Sequence, residues 1–222
     1  MPRDTLTTDQ IVRTAIGLLD EEGLDGLNMR SLGKRLDSAA TAIYWHIKTK
    51  DHLVRLAADA IWQEVELSDP DTDWRTAATA MATSVHEMLT RHPWLVQAFG
   101  GYLLYGPGKS RVDEHSLAVF ERAGFGEADA DRAAATVLLF VLGSALAPAS
   151  QVSLNRRLSR NGGDPEAKLT ETMTEAAEVA RGFPRLARRL GTPSAEEYLA
   201  APASSFEFGL RTILDGLAAR LR

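Results

Sequence analysis

Thr41-Ala42-Ile43-Tyr44-Trp45-His46-Ile47-Lys48-Thr49-Lys50 decides how this chain is read. Ile43 and Ile47 stand four apart, so a helix through the stretch turns both to one buried face. Thr41, Ala42, Tyr44, Trp45 and His46 then fall on the other sides. Two adjacent aromatics with polar tips, a histidine and two lysines make a surface suited to gripping phosphates. The ten residues alone fit a core aromatic pair on an ordinary helix equally well. Their flanks decide between the two.

Upstream, Thr7-Thr8-Asp9-Gln10 has the form of a capping box, and Ile11, Val12, Ala15, Leu18 and Leu19 follow at helical spacing. Gly23 is a stop. Asn28 caps a second helix that carries Leu32 and Leu36 inward and Arg30, Lys34 and Arg35 outward. Asp37-Ser38 turns the chain into the quoted stretch. Two short helices joined by a tight turn, the second bearing exposed polar and aromatic residues, form the helix-turn-helix pattern. Downstream, Leu53, Leu56, Ala57, Ala60 and Ile61 predict a helix from about 49 to 67, broken at Ser68-Asp69-Pro70-Asp71. Residues 1–48 are therefore read as a helix-turn-helix DNA-binding domain, 49–68 as a connecting helix, and 69–222 as a helical effector-binding and dimerisation domain.

Charge supports this division. The whole chain carries −5. From Asn28 to Arg55, six basic residues (Arg30, Lys34, Arg35, Lys48, Lys50, Arg55) face two acids, Asp37 and Asp51. That window is +4, which leaves −9 for the other 194 residues. A basic patch on an acidic body is the electrostatic footprint of a nucleic-acid binder.

The remainder reads as helix throughout, with no strand-like alternation and no repeat, so the fold class is all-α. Helices are expected over about 74–91, from Trp94 to Phe99, over 109–123, 127–147 and 165–180, in a short basic segment after Pro184, and over 204–221. Segment 133–143 is apolar nearly all round, which indicates burial on more than one side. The last helix has a broad apolar face that includes Gly209 and Gly216. Packing within one monomer would satisfy both helices. The favoured reading is a four-helix dimer seam made of Leu139, Gly143, Phe206, Leu210, Ile213, Leu214 and Leu217 with their symmetry mates.

Other functional classes lack support. There is no Gly-rich phosphate loop, no His-Glu-x-x-His and no nucleophile elbow, so no enzyme is expected. The five histidines (46, 52, 86, 92 and 115) include no i,i+4 pair, and His86 with His92, or Asp113-Glu114-His115, reads as solvated helix surface. Neither a cofactor nor a metal is expected. With no cysteine, no run of 18 uninterrupted apolar residues and no apolar signal-peptide core at the start, the expectation is a cytoplasmic protein without a membrane span.

Leu24-Asp25-Gly26-Leu27-Asn28-Met29-Arg30-Ser31-Leu32, followed by Ile43 to Lys50, resembles the DNA-binding signature of the tetracycline-repressor (TetR) family of transcriptional regulators. Trp74-Arg75, His92-Pro93-Trp94, Gly124-Phe125, Phe140-Val141-Leu142-Gly143 and Phe206-Glu207-Phe208-Gly209-Leu210 look like that family's C-terminal domain. The resemblance implies that Arg30, Ala40, Thr41 and Ala42 face base edges of a double-stranded operator. It implies that Tyr44, Trp45, His46 and Lys50, joined by Lys48, grip phosphates and the groove edge. The body would bind a small effector and pair with a second copy. Two positions depart from the pattern: Asp37 stands where glycine is usual, and Ala39 where a capping Ser or Thr is usual, so Ser38 is a candidate to cap one residue early.

In tetracycline repressors a histidine after the first body helix helps hold a magnesium-bound drug. The matching position falls at or next to Phe99, which offers a metal no lone pair. The resemblance then leaves an apolar, metal-independent pocket of Met88, Trp94, Phe99, Tyr102, Tyr105, Phe120 and Phe140, with His86, Gln97 and the tyrosine hydroxyls as polar groups. The implied function is a repressor released from a palindromic operator by a small apolar ligand. The alternative is an all-helical small-molecule binder without sequence-specific DNA binding. The retained Tyr44-Trp45-His46 and the local +4 argue against it.

Overall fold

A computed structural model describes residues 6–160, 164–190 and 195–221, and among them every regular element is helical. The first is α1, Thr8–Gly26. Its capping box is made in both directions: Thr7 Oγ1 accepts from Gln10 N at 3.2 Å, and Gln10 Oε1 accepts from Thr7 N at 2.9 Å. The helix kinks at Gly23, whose φ of 72° lies in the left-handed region where glycine carries no Cβ penalty. Helix α2, Met29–Arg35, is capped by Asn28, which accepts from Ser31 N at 2.9 Å.

Asp37 then takes φ 47°, and α3 runs Ala40–His46. No side chain caps α3. The Ser38 hydroxyl donates to the Leu36 carbonyl at 3.2 Å, so the expected early cap is not made. Helix α4, Lys50–Trp62, is capped by Thr49 and ends five residues short of the expected 67. Ile11, Leu18, Leu32, Ile43, Ile47 and Leu53 are buried together and hold α1 to α4 as one packed unit.

The body comprises α5 (Trp74–Arg91), α6 (Pro93–Ala98), α7 (Pro107–Arg122), α8 (Glu127–Arg160), α9 (Pro165–Ala180), α10 (Pro184–Leu190) and α11 (Ala195–Ala218), with a 3-10 turn at Ala219–Leu221. Helix α8 is the axis, packed against α5, α6, α7 and α11. It continues to Arg160 through Pro148, where the sequence pattern stops at 147. A proline inside a helix removes one hydrogen bond, but tertiary anchors can hold both halves. Here Ala145 and Ala149 are buried on either side of the exposed Pro148. Beyond it, Gln97 donates to Ser153, and the Arg156 guanidinium donates to the Asp20 carbonyl. By length and composition α8 is apolar enough to cross a membrane, with an 18-residue window of mean hydropathy 1.8. It packs against α5, α6, α7, α9 and α11, and its exposed large side chains Leu139 and Leu146 share one strip.

Helix α11 turns its apolar face onto its own chain. Phe206, Leu210 and Leu214 are buried, and the Phe206 ring stacks on His86 at 4.1 Å and on Phe140 at 5.9 Å. Three of the seven side chains expected at the dimer seam thus lie inside the protomer. Ile213 and Leu217 are half-buried, while Leu139 and Gly143 are exposed. Sequence periodicity cannot separate a face that meets its own chain from one that meets a copy, because both are apolar.

The contacts that tie head to body include one at Asp59 and one at Asp20. Asp59, on α4, accepts from Lys109 N at 3.0 Å and so caps α7 from a neighbouring helix. The approach is close: a Cβ on Gly108 would lie 2.3 Å from the Asp59 carbonyl oxygen. At the second contact, Asp20 of α1 accepts from Trp94 Nε1 at 2.9 Å and sits 2.8 Å from His92 Nδ1.

Candidate DNA interface and effector cavity

Burying Ile43 and Ile47 fixes the rotation of α3 about its axis. Thr41, Tyr44, Trp45 and His46 are exposed in consequence, Trp45 to 86%. An indole this exposed contributes little to the core, and exposed aromatics of this kind point to a partner surface. Ala42 is half-buried, and the Ala40 side chain lies outside the described residues. Arg30, on the first turn of α2, and Lys48, just after α3, are exposed on the same unit.

The six basic residues of the charged window divide in two. Arg35 forms a bidentate pair with Glu21, Lys50 Nζ donates to the Leu24 carbonyl at 2.7 Å, and Arg55 lies over the Tyr105 ring at 4.6 Å. The first two hold the head together, and the third ties it to the body. Arg30, Lys34 and Lys48 have no such partner among the described residues and are the cations open to phosphate or base. Lys50, expected on phosphate, is therefore spent on the α1 terminus. Its place in the sequence cannot show this, because the acceptor lies 26 residues upstream.

The apolar cavity of the body has a volume of about 230 Å³. Trp62 of α4 forms part of its wall, with Met81 and Val85 of α5, Val112 and Ser116 of α7, and Leu138 of α8. None of the nine residues expected to line a pocket lines it. Met88, Trp94 and Phe120 are fully buried in the core. Phe99 packs edge-on against Trp62, with centroids 6.3 Å apart. Tyr105 covers Arg55, and Tyr102 is half-buried near Asp51 and Asp25. Gln97 lies in a separate polar cleft with Asp25 and Arg157. His86 and Phe140 flank Phe206, where burial drives the His86 pKa down and favours the neutral ring.

Trp94 and Phe120 went to the core because large rings fill space best. The void opened where smaller side chains face each other across α5, α7 and α8. Met81 and Val85, four apart like Val137 and Val141, read in sequence as plain core positions, and nothing in their spacing distinguishes a lining from a filling. Among the described residues no group of three His, Asp or Glu side chains is placed to hold a metal.

Comparison with known proteins supplies the family. Residues 11–57 match the model for bacterial regulatory proteins of the tetR family, and residues 67–221 match the tetracyclin repressor-like C-terminal domain. The chain belongs to the tetR family. This family member is 39% identical over 140 residues to an HTH-type transcriptional regulator of Saccharopolyspora erythraea, a match spanning 63% of this chain and 59% of that protein. It is 30% identical over 218 residues to the class A tetracycline repressor from transposon 1721 of Escherichia coli, covering 97% and 92% of the two chains. The structure of the Streptomyces coelicolor TetR family protein ActR in complex with actinorhodin superposes with a TM-score of 0.76 at 27% identity, over 98% of this chain and 97% of that one. The tetR-family protein described here is accordingly a DNA-binding transcriptional regulator, all-helical, with a helix-turn-helix head.

Proposed function

We infer that this tetR-family regulator is a repressor that binds a palindromic operator as a homodimer in the cytoplasm, and that a small ligand entering the apolar cavity lowers its affinity for DNA. The observation that carries the reading is the α3 surface: Trp45, 86% exposed, stands between Tyr44 and His46, with the open cations Arg30 and Lys48 on the same unit. Arg30 reads a base edge, Thr41 and Ala42 contact thymine methyls, and Tyr44, Trp45, His46 and Lys48 hold backbone. Two such heads reach successive major grooves, about 34–36 Å apart, only as a pair. The exposed strip of Leu139, Gly143 and Leu146 on α8, beside Phe208 on α11, supports the pairing face.

The ligand acts through α4. This helix carries Trp62 at the cavity and Lys50 at the head. A ligand that shifts Trp62 relative to α7 moves the two heads relative to each other, and the DNA-bound arrangement loses population by the ligand's differential affinity. The test is operator selection from genomic fragments followed by gel shift at graded salt. A regulator enriches a palindrome whose binding survives competitor DNA. Weak, salt-labile binding with no enriched sequence would show a helical carrier instead.

A further inference from the structure

Two tryptophans, Trp62 at the end of α4 and Trp94 in α6, sit at comparable depth, and their indole nitrogens have opposite fates. Trp94 Nε1 donates to Asp20 at 2.9 Å. Trp62 is only 1% exposed, yet its Nε1 has no acceptor, and among the described residues it is the one buried side-chain polar atom left so. Buried polar groups in folded proteins are nearly always hydrogen-bonded, so such an exception calls for a partner that the chain does not supply. The ring is held in place: Phe99 meets it edge-on, and the Lys109 ammonium lies 5.5 Å from its centroid. The same residue lines the cavity, beside Met81, Val85 and Val141. Asp113 and Asp131 also border the cavity. Lys109 neutralises Asp113 at 2.6 Å, whereas Asp131 has no cationic partner among the described residues and disfavours an anion.

We propose that Trp62 is the specificity-determining contact of the cavity: its indole N–H donates to a carbonyl or comparable neutral acceptor on an otherwise apolar, uncharged ligand. The proposal rests on the reading of this cavity as the effector site. It separates ligands that the apolar wall alone cannot distinguish. An apolar pocket tells ring systems apart by size, while a pre-placed buried donor rejects a ligand that leaves it unpaired.

Equilibrium dialysis of the full-length protein with 9-fluorenone, fluorene and 9-fluorenone-2-carboxylate provides the test. The first two share a tricyclic frame and differ by one carbonyl. Fluorenone should bind about tenfold more tightly than fluorene, and the carboxylate several-fold more weakly than fluorenone. Trp62→Phe should bring the fluorenone-to-fluorene ratio to about one, with the fluorene affinity held within about twofold. In the unmutated protein, the Trp62 indole proton should move downfield in the NMR spectrum with fluorenone and not with fluorene, a readout that needs no variant at that position. Equal affinities for the two, or a preference that survives Trp62→Phe, would overturn the proposal while leaving the cavity in place. Tighter binding of the carboxylate would overturn the uncharged-ligand assignment. Ala134→Trp, which fills the cavity, should abolish all binding. If it does not, or if none of the compounds binds, the effector-site reading itself fails, and the role of Trp62 with it.

Discussion

The His92 imidazole of the body and the Asp20 carboxylate of the DNA-binding head meet at 2.8 Å, across 72 residues of sequence. The contact is shielded, with the His92 side chain 11% exposed. On its other edge His92 Nε2 lies 3.3 Å from Glu64, and Arg91 holds Glu64 at 2.9 Å. One histidine thus joins α1, the end of α4 and the α5–α6 corner. Burial works against the imidazolium, but the hydrogen bond and charge of Asp20, with Glu64 behind them, outweigh it and hold the His92 pKa above its ordinary range.

A raised pKa in a basic group makes the junction pH-dependent. The imidazolium's contribution to stability is fully present below the unfolded value, about 6.5, and is lost as pH rises through the folded value. His86 and His115, whose pKa values are lowered chiefly by burial, act in the opposite sense, so the effect must be read as a difference. The gap in unfolding free energy between the wild type and His92→Gln should be largest near pH 5.5 and shrink above neutrality. Urea melts from pH 5.5 to 9 measure it. A gap that stays flat would mean that His92 remains neutral throughout.

Arg30 and Lys48 should fail differently on DNA. Arg30→Ala is expected to cost about 1–3 kcal/mol and to relax preference at one base pair per half-site. Lys48→Ala should weaken all sequences alike and reduce the slope of log K against log salt by about one. Lys50→Ala should chiefly destabilise the head, because its ammonium is bonded to the Leu24 carbonyl. Binding titrations on an operator and its single-base variants, at three salt concentrations, separate the three. Sequence-blind losses from Arg30→Ala would remove it from base readout.

Pairing should respond to the outer strip of α8. Leu139 is 68% exposed and Leu210 only 3%. Leu139→Glu is therefore expected to give a folded monomer that has lost tight operator binding. Leu210→Glu should unfold the body, because a charge without a partner is strongly unfavourable in a core. Light scattering and far-ultraviolet circular dichroism on both variants decide it. A Leu139→Glu protein that stays dimeric would place the seam elsewhere.

The α4–α7 clamp should be intolerant in a specific way. Asp59→Ala removes a cap and should cost about 0.5–2 kcal/mol. Gly108→Ala puts a methyl group against the backbone of α4, which no rotamer change relieves, and should cost about 1–3 kcal/mol. Chemical denaturation gives both values. An unperturbed Gly108→Ala protein would show that the two helices are not this close in solution.

Local chemistry in the sequence determined the head. Thr7 with Gln10, Asn28 with Ser31, and Thr49 with His52 are contacts three residues apart, so the starts of α1, α2 and α4 were written where they occur, while α3 begins with no side-chain cap. Ile43 and Ile47 turned Tyr44, Trp45 and His46 outward by helical geometry alone. The element order of the body followed from periodicity with its prolines and glycines, except at Pro148, where anchors elsewhere in the chain carry α8 onward. What only the tertiary structure decided was which surface each apolar face meets. The rings of Trp94 and Phe120 filled the core, α11 folded onto its own protomer, Lys50 found a carbonyl on α1, and the cavity opened beside Trp62. Each of these depends on atoms tens of residues apart in the chain. A void, in particular, is the volume that several helices together fail to fill, and no single segment of sequence records it.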